Sequence, residues 1–100
     1  MRTPEECRNM AELREAIDAL DRSLVGMLAR RAAYIERAIE LKPAEGIPAR
    51  AEDRVADVLS KVRAESEAQG FSPDLAERLW RVMIEHFIAR EEDVLEGDGS

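Results

Sequence analysis

The sequence predicts an all-α protein built from three helices, and three observations carry that prediction. Ala, Leu, Glu and Arg dominate a chain that is 45% apolar and 37% charged, and these residues enter a helix at little cost. Apolar positions recur at steps of four and three, the spacing that lines one helical face. Proline and glycine gather in KPAEGIPAR and in GFSP, which divide the chain into three periodic segments.

The first helix is expected from about Asn9 to Leu41. Leu13, Ile17, Leu20, Leu24, Met27, Leu28, Ile35, Ala38 and Ile39 hold the apolar stripe. Gly26 is a tolerated cost of roughly 1 kcal/mol. Pro43, Gly46 and Pro48 predict a loop over residues 42–50. A second helix follows from about Ala51 to Gln69, with Val55, Val58, Leu59 and Val62 inward and Gly70 as its stop. Ser72 and Pro73 read as an N-cap and a first-turn proline. The third helix then carries Leu75, Leu79, Trp80, Met83, Ile84, Phe87 and Ile88 to about Leu95, and EGDGS is expected to fray.

One hundred residues make a single domain, residues 1–100, possible as an obligate oligomer. A first helix of roughly 33 residues would be roughly 49 Å long, whereas a compact globule of this size is only about 35 Å across. A monomer would leave part of its apolar stripe wet, so a dimer is expected. A net charge of −7 with no basic run excludes nucleic acid as the natural partner. Cys7 is the lone cysteine, which excludes an internal disulfide and a zinc framework. MRTPEECRNM lacks an apolar core of signal-peptide length, and no stretch approaches membrane-spanning length, so a cytoplasmic protein is expected.

Several polar residues fall on the apolar stripes. Arg31 lies seven residues after Leu24 and four before Ile35. Lys42 lies within about 20° of Arg31 around a continued helix and roughly 16 Å along it, leaving a gap the size of a small dianion. Arg14 stands at the edge of the same stripe. Glu91 sits four after Phe87 and three after Ile88. Each could lay its stem on the core and extend its charge to water, and Glu91 could pair with Arg31 or Arg90. Taken together they suggest an anion pocket in a helical bundle. His86 is the only histidine, and neither a triad, an EF-hand spacing nor a glycine-rich phosphate loop can be assembled. Chemistry without metal, cofactor or covalent intermediate is therefore expected.

These residues resemble the small all-helical chorismate mutases (type II), and within them the isochorismate-pyruvate lyase branch. The resemblance rests on TPEEC, LREAIDALD, LARRAAYIERAIELK, GIPA, EDRV and IEHFIAREE, whose order and spacing cover nearly the whole chain. It implies an intertwined homodimer of three-helix protomers with two equivalent pockets. Arg31, together with Arg14 donated across the interface, would bind the substrate's two carboxylates through charge-assisted hydrogen bonds. Lys42 would donate to the ether oxygen and one carboxylate. Arg54 matches a further substrate-binding arginine, and Ile35, Val58, Phe87 and Ile88 would supply apolar walls. Glu91 matches a position that faces the ether oxygen, and it could donate there only when protonated.

The implied reaction is the pericyclic rearrangement of chorismate to prephenate, which needs no nucleophile. Fixing a compact conformer and stabilising charge on the ether oxygen would suffice. Two departures bear on the substrate. Val55 follows Arg54, where many mutases carry a Glu that receives the C4 hydroxyl of chorismate; the lyase branch also lacks it. Glu91 stands where the lyase pattern has Gln. Chorismate mutase is the reading favoured here, with isochorismate-pyruvate lyase, giving salicylate and pyruvate, as the alternative. A non-catalytic helical dimerisation module is the third, although a pure interface would do better with apolar residues at these positions.

Overall fold

The computed structural model describes residues 2–98, with side chains through residue 95. A short 3-10 turn, Pro4–Glu6, precedes α1 (Met10–Glu45), α2 (Glu52–Gln69) and α3 (Pro73–Asp98). The expected all-α, three-helix architecture with a long first helix is what the chain adopts. Among the described residues no helix is long and apolar enough to cross a membrane. The chain divides into two compact units, residues 1–37 and 38–100.

The first unit holds the 3-10 turn and most of α1. Asn9 starts the helix by accepting the Glu12 backbone N–H on Oδ1 at 2.9 Å. Glu12 reaches back to the Arg8 backbone N–H at 2.9 Å and pairs with its guanidinium at 3.0 Å. Side-chain acceptors of this kind satisfy donors that have no partner in the first helical turn. The apolar stripe of this unit is largely exposed: Ile17, Leu20, Leu24 and Met27 are 47%, 57%, 56% and 63% accessible.

The second unit contains the end of α1, a short loop, α2 and α3. Its core is small: Ile39, Ala49, Leu59, Ala76 and Ile88 are buried. α2 and α3 pack against each other. Near their junction the small side chains of Ala76 and Ser66 are buried, and Ser66 returns its hydroxyl to the Val62 carbonyl at 2.7 Å. Ser72 caps α3 as expected, its Oγ accepting the Leu75 N–H at 3.2 Å. Gly70 ends α2 in the left-handed region, and Phe71 N–H donates to the Ser66 carbonyl at 2.8 Å. That paired closure needs a residue free of a Cβ penalty.

Two expected boundaries move. Pro43 does not stop α1, which continues to Glu45. A proline forfeits a single ladder bond when it falls in the last turn, and Gly46 (φ 70°) then closes the helix as Gly70 does. Gly46 and Ile47 donate to the carbonyls of Pro43 and Lys42 at 3.2 and 3.0 Å. The loop therefore begins at Gly46, and Lys42 has a helical backbone. At the other end, residues 96–98 remain helical rather than frayed, and residues 99–100 lie outside the described residues.

Candidate active site

α1 extends through Lys42, and α3 carries Glu91 one turn beyond Phe87 and Ile88. These two helical placements bring the Lys42 ammonium to 3.0 Å from Oε2 of Glu91. The Glu91 residue is 4% exposed, more buried than Ile39, Leu59 or Ile88. Lys42 also donates to the Ala49 carbonyl at 3.2 Å. The Lys42 side chain is half-buried, and an ion pair withdrawn from water in this way gains little net stability over apolar residues of similar size.

Of the apolar candidates in this unit, Ile88 is buried, and Phe87 and Val58 are half-buried. The Arg54 side chain is 66% exposed and bonds Asp57 Oδ2 at 2.6 Å, with Lys61 on the same oxygen at 2.9 Å. Hydrogen bonds from Lys61 and then from Arg54 hold the Asp57 carboxyl below its ordinary range. The structure thus gives Arg54 a partner on its own helix.

In the first unit, Arg31 and Ile35 are half-buried, and Nη1 of Arg31 is shielded from solvent. Arg14 is exposed. A surface depression of about 330 Å³ in this unit is lined by Arg2, Glu12, Glu15, Ala16 and Ala19, none of them an expected site residue. Its apolar lining and mixed charges offer no dicarboxylate a matched set of donors.

Two features of the Lys42 surroundings escape sequence reading. One is a backbone carbonyl, that of Ala49. The other is Arg50, which makes a two-point contact with Glu85 of α3 at 2.8 and 2.6 Å. Loop conformation has no periodic signature, so nothing in the spacing of KPAEGIPAR pairs Arg50 with a residue so far along the chain.

The fold defines a class: all-helical proteins with one long first helix, here with a Lys42–Glu91 ion pair joining the end of α1 to α3. Residues 13–92 match the chorismate mutase type II family, and the chain belongs to that family. It is 37% identical over 92 residues to the isochorismate pyruvate lyase of Pseudomonas aeruginosa, covering 91% of this chain and 89% of that protein. The T-protein of Enterobacter agglomerans is 33% identical over 84 residues, 84% of this chain but 22% of that much longer protein. The chorismate mutase of Methanocaldococcus jannaschii is 24% identical over 87 residues, 87% of this chain and 88% of that one.

Proposed function

We propose that this protein is a chorismate mutase, converting chorismate to prephenate without a cofactor. The observation that carries the reading is the Lys42–Glu91 pair, with Glu91 buried on α3 and Lys42 half-buried on α1, in a family whose model is that of chorismate mutases. In the reaction the ether C–O bond breaks as a C–C bond forms, and negative charge gathers on the departing oxygen. The Lys42 ammonium donates to that oxygen, and protonated Glu91 donates beside it. Arg31 takes one carboxylate, and Arg14 of a second copy takes the other. Arg54 turns from Asp57 toward the bound anion. Ile35, Val58, Phe87 and Ile88 hold the compact conformer against water.

The second copy is part of the proposal. Leu20 and Leu24 are 57% and 56% exposed on α1, and burying such an apolar stripe against its equivalent is a strong reason to dimerise. A charge placed there, Leu24→Glu, yields monomers by analytical ultracentrifugation and abolishes turnover, since Arg14 can no longer be supplied.

Isochorismate-pyruvate lyase is the second reading. It is favoured by the 37% identity to the Pseudomonas lyase and by Val55, which leaves no carboxylate after Arg54 to receive a C4 hydroxyl. In that reaction the same ether bond breaks while a ring hydrogen passes to the enolpyruvyl carbon, releasing pyruvate and salicylate. Both substrates incubated side by side separate the readings: loss of chorismate absorbance supports the mutase, and salicylate fluorescence from isochorismate supports the lyase. A folded dimer inert toward both is a non-catalytic dimerisation module.

A further inference from the structure

The Lys42 ammonium has three N–H donors. One is spent on Glu91 and a second on the Ala49 carbonyl, at 3.0 and 3.2 Å. Once two donors of a tetrahedral ammonium are fixed, the direction of the third is fixed as well. Ala49 is held in turn by its neighbour, because Arg50 forks onto both oxygens of Glu85 on α3. The loop is tied to α3 at one residue and to Lys42 at the next. Arg50 and Glu85 strengthen each other's ionised forms, and Glu52 and Glu92 add longer-range attraction to the guanidinium.

We propose that Arg50 and Glu85 form a latch that seats the Ala49 carbonyl on Lys42 and so aims the remaining ammonium donor, making Arg50 a positioning residue. The inference rests on the catalytic role of Lys42 proposed above. An exposed ion pair contributes little to stability, and the Arg50 and Glu85 side chains are 40% and 58% accessible. What the latch changes is the freedom of the loop. Without it the carbonyl leaves the ammonium, Lys42 turns about its terminal bond, and the donor is no longer aimed in advance.

The chain has just two lysines, Lys42 and Lys61, so side-chain ¹⁵N labelling of lysine gives two ammonium signals. Lys61, 70% exposed on Asp57, serves as the internal control, and Lys61→Arg assigns it. In the wild type the Lys42 ammonium hydrogens exchange with water more slowly than those of Lys61. Arg50→Ala and Glu85→Ala, each with an unchanged helical circular dichroism spectrum, remove that protection. They also lower kcat by about tenfold, the scale of a small misplacement, with KM shifted less than threefold. The reversed pair, Arg50→Glu with Glu85→Arg, recovers both. Unchanged Lys42 exchange in the two single variants overturns the latch, whatever the rates. So does lost protection with kcat intact, since the aimed donor would then be idle. A wild type inert toward both substrates defeats the proposed reaction instead, and the positioning role with it, even where the exchange measurement still registers the loop tether.

Discussion

The Lys42 ammonium and the Glu91 carboxylate lie 3.0 Å apart, with the Lys42 side chain 24% and the Glu91 side chain 5% exposed. Breaking such a pair by removing one partner costs about 3–5 kcal/mol, whereas replacing both with apolar groups is often neutral or stabilising. Glu91→Ala is therefore expected to lose about that much in urea denaturation, and Lys42→Met with Glu91→Leu to be at least as stable as the wild type. The double variant keeps its fold and loses its turnover. A stable, fully active double variant would show that the pair is structural only.

In the proposed reaction Glu91 can help the ether oxygen only as a hydrogen-bond donor. Glu91→Gln carries a permanent donor of the same shape, so its kcat for chorismate at neutral pH is expected to equal or exceed that of the wild type, whereas Glu91→Leu, which cannot donate, should fall below it. Equal kcat in Glu91→Gln and Glu91→Leu removes Glu91 from the mechanism.

The Arg50 hydrogen bonds hold the Glu85 carboxyl below its usual value of 4.5. A carboxylate whose folded value is depressed contributes stability at pH above the unfolded value, and that contribution disappears as pH falls through the folded one. Wild type and Glu85→Gln are thus expected to differ in denaturation midpoint near neutral pH and to converge as pH drops below 4.5. Because both side chains meet solvent, molar salt should shrink the difference at neutral pH.

Much of the fold was legible because it depends on local chemistry. Ser72 and Pro73 start α3, Gly70 stops α2, and Ile39, Leu59 and Ile88 occupy the buried stripes their spacing implied. Pro43 misled because a proline near a helix end costs one bond, and whether the helix continues depends on the glycine that follows. Lys42 and Glu91 were legible as polar residues on apolar faces; that they meet each other is a tertiary fact that neither helix encodes alone. Arg54 occupies the position its motif assigns, yet it bonds a neighbour three residues on. Arg50 lies in a loop where periodicity says nothing.

The helix-closing glycines offer a test of that local reasoning. Gly46 and Gly70 have φ of 70° and 73°, and a Cβ at either would meet nothing within 4 Å. Alanine there is penalised by backbone conformation alone, about 1–2 kcal/mol. Both variants should lose similar stability in denaturant. Gly46→Ala should also lower kcat, because its loop carries Ala49, while Gly70→Ala should leave kcat near the wild-type value.

The central claim is that the Lys42 ammonium stabilises charge on the ether oxygen of a small dicarboxylate. Its most direct test is kcat for chorismate in Lys42→Ala against the wild type, both shown to be folded dimers. Loss of a donor aimed at a developing oxyanion lowers the rate by about 10²–10³, and that is the predicted result. A Lys42→Ala protein that turns over chorismate as fast as the wild type would contradict it.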